Sequence, residues 1–234
     1  MNNAPLNTTN RQTKIKNALT KTFGDKLAFA ILMSIEDAIH YFRHRKELIL
    51  WDKNEKPVQP PHLIKRDIVR EYAKKFNLNI FIETGTYLGE MIGAMRRIFK
   101  EIYSIELDPV LCDRAKKKFA KSRHINIYCG DSGIVLPQIL SKQTTPCLFW
   151  LDAHYSAGIT AKGELETPII KELNQILDHP VKEHVILIDD ARCFTGENDY
   201  PTIEGVTQLV SSKRSDLVTH VENDIIRIHK KSIK

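Results

Sequence analysis

From residue 79 onward, short apolar segments alternate with amphipathic ones, and this alternation constrains the fold more than any other feature of the chain. Each apolar run has the length of a buried strand, and the segments between them repeat apolar residues at helical spacing. Such a pattern is typical of βα units, which build a mostly parallel sheet. The predicted strands are Asn79–Glu83, Glu101–Glu106, His124–Cys129, Cys147–Asp152 and His184–Asp189.

The end of the chain follows a different pattern. Residues 216–221 and 225–229 are two further apolar runs, and the short polar segment Glu222-Asn-Asp separates them. Two such runs joined by a tight turn predict a β-hairpin. The expected architecture is therefore α/β and Rossmann-like, with a mostly parallel sheet that ends in an antiparallel hairpin.

Every predicted parallel strand ends beside a carboxylate. In an open parallel sheet, ligands bind outside the carboxyl ends of the strands. Five acidic strand ends that meet at one edge are hard to explain by solvation alone, so we expect a ligand site there. The acids in question are Glu83, Glu106, Asp131, Asp152 and the pair Asp189-Asp190.

The first predicted strand runs into a glycine turn, Glu83-Thr-Gly-Thr-Tyr-Leu-Gly89. Glycines at such a turn let the backbone approach a ligand closely. Glu106 follows Gly85 by 21 residues, which is the spacing of an acid that binds a ribose diol. However, Gly85-x-x-x-Gly89 is not the Gly-x-Gly-x-x-Gly fingerprint for a pyrophosphate. The pattern favours an adenosyl ligand without a diphosphate, and a nucleotide-binding oxidoreductase remains the alternative.

These residues resemble class I S-adenosylmethionine-dependent methyltransferases over about residues 62–230. The resemblance implies a seven-stranded sheet of order 3-2-1-4-5-7-6 and S-adenosylmethionine as the cofactor. It places the methionine end at the glycine turn, the ribose at Glu106 and the adenine at Gly130-Asp131-Ser132. The implied cofactor-binding residues are Glu83, Thr84, Gly85, Thr86, Tyr87, Gly89, Glu106, Leu107, Asp131, Ser132 and Asp152.

The glycine spacing is closest to small metal-dependent O-methyltransferases, and that resemblance implies Mg²⁺ held by Asp152, Asp189 and Asp190. Three carboxylates suit such a hard cation. Alternatively, these acids bind the substrate or the methionine amine without metal. The chain departs from the pattern, because Asp190 replaces an Asn ligand and Tyr155 replaces a Lys base.

The catalytic group is predicted from the residues that follow the fourth strand. His154 is the candidate general base, because the ordinary pKa of histidine suits that role. The other interpretation of His154 is a packed loop histidine. The predicted catalytic residues are His154, Asp152 and Tyr155.

Two long loops at the ligand edge, residues 153–163 and 192–202, are expected to set the acceptor. Lys162 and Arg192 suit an anionic group, or else they are ordinary loop-surface charges. The predicted acceptor is a small polar molecule or a sugar, methylated on oxygen. The predicted acceptor-binding residues are Tyr155, Lys162, Arg192, Asp199 and Tyr200.

Residues 1–60 are predicted to form a helical extension with a disordered start, ahead of a methyltransferase domain of residues 61–234. The basic excess lies at this end, because residues 1–78 hold 15 Lys or Arg and 8 Asp or Glu. The extension is expected to cap the sheet edge or form a homodimer contact. No motif supports nucleic-acid binding, so we do not expect that partner. A non-catalytic binding protein of the same fold is the remaining alternative.

The cysteines and the apolar runs bear on the compartment. Cys112, Cys129, Cys147 and Cys193 lie far apart in sequence, which argues against a zinc ribbon or a disulfide framework and suits a reducing cytosol. The polar N-terminus does not resemble a signal peptide. The longest apolar run, residues 27–33, is shorter than the about 20 residues of a membrane span. The predicted location is cytoplasmic.

Overall fold

The computed structural model describes residues 21–22, 45–152 and 167–231. The chain divides into two units, residues 1–54 and 55–234. In the first unit, residues 45–53 are helical. The predicted disordered start and most of the predicted extension lie outside the described residues, so the domain boundary after residue 60 stays a prediction.

The second unit contains the sheet and the helices around it. Its elements in chain order are α1 (His62–Lys75), β1 (Ile80–Thr84), α2 (Glu90–Met95), β2 (Glu101–Glu106), α3 (Pro109–Phe119), β3 (Ile125–Cys129), α4 (Ser132–Leu140), β4 (Leu148–Leu151), α5 (Ile169–Asp178), β5 (Val185–Ile188), a 3₁₀ turn (Ala191–Cys193), α6 (Ile203–Lys213), β6 (Leu217–Glu222) and β7 (Ile225–Lys230).

The seven strands form one sheet of order β3-β2-β1-β4-β5-β7-β6. The five strands of the βα units pair in parallel, and β7 pairs antiparallel with both β5 and β6. The predicted fold class, strand order and terminal hairpin are therefore confirmed. The helix that follows the glycine turn, α2, is short and ends at Met95.

The central strands are covered on both faces, which explains their continuous apolar sequence. Along β4, Phe149 and Leu151 pack into the apolar cluster that α4, α5 and α6 cover. Leu148 and Trp150 point to the opposite face and pack into the cluster formed with α1, α2 and α3. This alternation within one four-residue strand fixes its register, because a slip by one residue would exchange the two faces.

The sheet register brings the strand ends to one level. Thr84 at the end of β1 pairs with Ile105 on β2 and with Leu151 on β4. Leu151 pairs in turn with Ile188 on β5. Because the predicted acids follow these residues directly, the pairing gathers them at the carboxyl edge of the sheet.

Cys112 and Cys129 form a disulfide, with Cα atoms 5.6 Å apart. The wide spacing of the cysteines in the sequence argues against a disulfide framework. For Cys112 and Cys129 this prediction is wrong. Cys112 lies in the first turn of α3 and Cys129 ends β3, and both of these positions are at the carboxyl edge. Their separation in sequence gave no sign of this proximity, because α3 runs back across the sheet between β2 and β3. Cys147 and Cys193 are free thiols.

Among the helices in the described part of the chain, none combines the length and apolar character of a membrane span.

Candidate functional site

The glycine turn after β1 has a backbone that other residues adopt with difficulty. Gly85 and Gly89 have φ angles of 86° and 67°, and Tyr87 between them also has a positive φ, 47°. The Gly85 N–H donates to the Ile105 carbonyl at 2.9 Å, which ties the turn to β2. A Cβ atom at Gly89 would lie 2.8 Å from the Phe119 ring. Gly89 is therefore required for both its conformation and its close packing against α3.

Glu106 joins the end of β2 to this turn. One oxygen of its carboxylate accepts the Tyr87 N–H at 2.7 Å, and the other accepts the Asp108 N–H at 2.9 Å. The residue is buried, whereas the adjacent Leu107 is partly exposed. The two backbone donors fix the carboxylate, and each oxygen keeps a second lone pair for a ligand. This geometry is compatible with the predicted ribose contact.

Glu83 lies beneath the turn, on the face of β1 that also carries Phe81. Ser104, its register partner on β2, donates a hydrogen bond to Glu83 at 2.5 Å, and the Thr86 hydroxyl lies 2.6 Å from the Ser104 oxygen. The pKa of Glu83 is raised to about 8, mainly by burial; the Ser104 hydrogen bond lowers it, and the nearby charges of Asp152 and Glu106 contribute to the rise. A cation bound at this point would favour the ionised form.

Asp131 and Ser132 begin α4. Asp131 is the N-cap, and its side chain accepts the Gly133 N–H at 2.7 Å. Ser132 is buried. The Asp131 side chain therefore has a structural role at the helix start, and the predicted adenine contact at this turn stays a prediction.

Sequence reasoning missed Glu172, a buried carboxyl on α5. Burial raises its pKa to about 7, whereas the Ser132 and Thr84 hydroxyls lower it. The signal was present in the sequence, because Glu172 occupies the apolar face that Ile169, Leu173 and Ile176 define. A carboxyl on such a face is costly to bury in its charged form, so burial favours the protonated form more than water does.

Sequence reasoning also missed Lys65, which lies in the first turn of α1. Its Nζ atom is 2.6 Å from Asp189 Oδ2 and 3.2 Å from Asp190 Oδ1. Because α1 runs antiparallel to β1, its first turn lies at the carboxyl edge. Nothing in the local sequence pointed to this contact, since 124 residues separate Lys65 from Asp189.

Burial and neighbouring charges shift the pKa values of Lys65 and Asp189. Burial lowers the pKa of Lys65, but Asp189, Asp190 and Asp152 outweigh that effect and hold it above its ordinary value. Burial and the Asp152 charge raise the pKa of Asp189, while Lys65 opposes that shift. Asp152 lies beside the glycine turn, where its N–H donates to the Thr84 carbonyl at 3.0 Å.

Arg192 forms a second cationic contact with the acidic pair. Its guanidinium donates to Asp190 Oδ1 at 2.8 Å and pairs with Asp224 in the β6–β7 turn. The Arg192 N–H also donates to Asp224, at 2.8 Å. The Gln59 side-chain oxygen accepts from the same guanidinium. Arg192 is thus held by protein groups, and its predicted contact with an anionic acceptor stays a prediction.

The loop after β5 is compact. Thr195 pairs with Thr202 in an isolated antiparallel bridge, and the Tyr200 ring packs edge-on against Phe194 with centroids 5.2 Å apart. Asp199 is exposed at the loop tip with a φ of 62°. The acceptor contacts predicted for Asp199 and Tyr200 remain predictions. His154, Tyr155 and Lys162 lie outside the described residues.

The acids at β4 and β5 do not fit Mg²⁺ as the resemblance implied. Within residues 45–152 and 167–231, no group of three or more His, Cys, Asp or Glu side chains is arranged to hold a metal ion. Asp189 Oδ2 faces Lys65, and Asp189 Oδ1 accepts the Asp190 N–H at 2.9 Å. Asp190 Oδ1 accepts from both Lys65 and Arg192. These oxygens are turned toward the protein's own cations.

The sheet order, the single antiparallel strand β7 and the glycine turn after β1 define the class I S-adenosylmethionine-dependent methyltransferase fold. Comparison by sequence finds no protein-family model and no curated protein that matches this chain. The fold assignment therefore rests on the structure.

Solved structures share this fold at low sequence identity. One is the O-methyltransferase TomG of Streptomyces achromogenes, involved in tomaymycin synthesis and bound to S-adenosylmethionine. It is 16% identical, with a TM-score of 0.54 over 80% of this chain and 87% of that one. An O-methyltransferase of Bacillus cereus in complex with S-adenosylhomocysteine is 13% identical, with a TM-score of 0.54 over 80% and 90%. The methyltransferase PaMTH1 of Podospora anserina, bound to S-adenosylhomocysteine, is 16% identical, with a TM-score of 0.51 over 99% and 100%.

Proposed function

We propose that this protein is an S-adenosylmethionine-dependent methyltransferase that methylates an oxygen of a small polar molecule or sugar. The observation that carries the proposal is the bond from the Tyr87 N–H to Glu106 at 2.7 Å. It unites the glycine turn and the acid at the end of β2 in one site at the carboxyl edge. In this fold, that edge is where ligands bind.

The charge of the site supports the same ligand. S-Adenosylmethionine carries a positive sulfonium and a positive ammonium beside its carboxylate. Glu83, Glu106 and Asp152 lie close enough for their charges to influence one another. The negative charges of Glu106 and Asp152, and that of Glu83 once it ionises, attract the cationic methionine end and give no comparable attraction to a diphosphate.

The transfer itself needs alignment more than covalent help from the protein. An acceptor oxygen attacks the methyl carbon in line with the carbon–sulfur bond, and the electrons of that bond return to sulfur as S-adenosylhomocysteine forms. The hydroxyl proton passes to a base, for which His154 remains the proposed group. Holding the two reactants in line contributes a large share of the rate.

The oxygen acceptor is the finer part of the proposal. TomG and the Bacillus cereus enzyme are O-methyltransferases of the same fold. Loop residues Tyr155, Lys162, Asp199 and Tyr200 are the proposed acceptor contacts, with Arg192 at the base of the second loop. Mg²⁺ has no part in the proposed steps, because Lys65 and Arg192 engage Asp189 and Asp190, two of the three carboxylates that were predicted to bind it.

Binding of S-adenosylhomocysteine tests the proposal directly. We expect saturable binding by calorimetry, a higher melting temperature with the ligand, and no such effect of NAD or NADP. Glu106→Ala should weaken binding at least about tenfold, which is about 1.4 kcal/mol. Glu101→Ala is the matched control, because Glu101 is exposed at the opposite end of β2.

Two outcomes would contradict the proposal. Stabilisation by NAD or NADP alone would favour the oxidoreductase interpretation. Failure to bind any of these ligands would favour a non-catalytic binding protein of this fold.

A further inference from the structure

A lysine lies among the carboxylates that the sequence predicted as metal ligands. The Lys65 side chain is 15% exposed, and those of Asp189 and Asp190 are 5% and 11% exposed. The ammonium is thus removed from water together with both partners. The contacts of Lys65 with Asp189 and Asp190 therefore differ from surface ion pairs. Removing one partner would leave the charge of the other buried without compensation.

The ammonium and a divalent cation compete for the same oxygens. Mg²⁺ would need oxygen ligands at about 2.1 Å. Asp189 Oδ2 is already 2.6 Å from Lys65 Nζ, so a metal on that oxygen would face the ammonium at short range. Asp190 Oδ1 is not a free alternative ligand for the metal, because Arg192 also donates to it at 2.8 Å. A metal ion at Asp189 therefore requires Lys65 to move away, and only a metal on Asp190 Oδ1 would also have to displace Arg192.

We propose that Lys65 supplies the positive charge at the acceptor end of the site, and that methyl transfer here is independent of a divalent metal ion. The inference deepens the proposed function and rests on it. Its physical basis is the pair of contacts from one buried ammonium to the two acids after β5.

Lys65 also has hydrogen-bonding capacity left. An ammonium has three N–H donors. Within the described residues, Lys65 donates only to Asp189 and Asp190. The third donor is available to an acceptor oxygen, and its charge would stabilise that oxygen as the proton leaves.

The test is a calorimetric titration of the full chain with Mn²⁺. Wild-type protein should show no saturable binding at millimolar Mn²⁺. Lys65→Met leaves Asp189 and Asp190 without this cation, so it should bind Mn²⁺ at least about tenfold more tightly than wild type. The double variant Lys65→Met/Asp189→Asn should lose that gain.

Two further variants separate charge from other effects. Lys65→Arg keeps the positive charge and should continue to exclude Mn²⁺. Lys74→Met is the matched control, because Lys74 is an exposed lysine on the same helix. It should behave as wild type.

Wild-type binding of Mn²⁺ that disappears in Asp189→Asn would overturn the inference, and so would a Lys65→Met variant that folds but gains no Mn²⁺ affinity. If Lys65→Met does not fold, the Mn²⁺ titrations of wild type and Asp189→Asn still test whether the wild-type acids bind a metal ion. Binding of S-adenosylhomocysteine, measured on the same samples with chelator present, distinguishes failure of one proposal from failure of the other. A wild-type protein that does not bind S-adenosylhomocysteine would refute the proposed function, whereas the Mn²⁺ result tests only the role of Lys65.

Discussion

Glu83 and Ser104 are register partners on β1 and β2, and the Ser104 hydroxyl donates to the buried Glu83 carboxyl at 2.5 Å beneath the glycine turn. The pair places a group with a pKa of about 8 under the proposed methionine site. The protonation state of Glu83 should therefore depend on whether the cationic cofactor is bound.

Cofactor affinity should rise with pH because of Glu83. Below about pH 8 the free protein holds a proton on Glu83, and binding of the sulfonium favours its release. We expect S-adenosylmethionine to bind up to about tenfold more tightly for each pH unit between 6.5 and 8. Calorimetry in buffers of different ionisation enthalpy measures the released proton. A Glu83→Gln variant should lose this slope, and an unchanged slope would assign the proton to another group.

The stability of the free protein should respond to Glu83 in the opposite sense. The unfolded chain ionises this group near its ordinary pKa of 4.5, whereas the folded protein ionises it near 8. Across that window the folded state binds more protons, so its stability falls as pH rises. Urea unfolding of wild type should show a steeper decline from pH 5 to 8 than unfolding of Glu83→Gln. Equal declines would contradict the assignment.

Acid should destabilise the fold through His184. The Cys147 N–H donates to His184 Nδ1, so the other ring nitrogen carries the proton and donates to His179, which in turn donates to the Leu140 carbonyl. Burial lowers the pKa of His184 to about 4. The stability contribution of its neutral form is lost as pH falls from 6.5 through 4, by up to about 3 kcal/mol. Urea unfolding of His184→Gln should not show this loss.

Reduction of the Cys112–Cys129 disulfide should lower the unfolding free energy by about 3 kcal/mol, because the bond closes a loop in the unfolded chain. The two cysteines are 17 residues apart. Denaturant unfolding with and without a reductant measures the effect, and Cys112→Ala/Cys129→Ala should be insensitive to the reductant. Detection of four reactive thiols in the unfolded, unreduced protein would show that the bond is absent.

Gly89→Ala should destabilise the protein by about 1–3 kcal/mol. Its φ of 67° disfavours any side chain, and the new Cβ would meet the Phe119 ring at 2.8 Å. Gly93 is the control on the same helix, since a Cβ there meets only the end of Arg96 at 3.6 Å. Gly93→Ala should stabilise the helix by about 0.5–1 kcal/mol. Thermal or urea unfolding compares the two, and equal effects would contradict this account.

The acids at the strand ends show which residues of the site can be predicted from the local sequence pattern. Glu106 and Asp189 were identified from their positions after apolar runs, and the sheet register does bring them to the same edge. Glu172 could have been identified too, because it interrupts the apolar face of α5. All three signals are local, since strand and helix periodicity depend on neighbouring residues.

By itself, the sequence determined the βα alternation, the order of elements and the acids that follow each strand. The tertiary structure alone decided which groups meet those acids. Lys65 contacts Asp189, which is 124 residues away in sequence. Cys112 bonds to Cys129 because the first turn of α3 and the end of β3 both lie at the carboxyl edge. Such contacts depend on how helices cross the sheet, and periodicity carries no information on that. The sequence could place Asp189 and Asp190 at the carboxyl edge, whereas the lysine beside them is known only from the way α1 packs there.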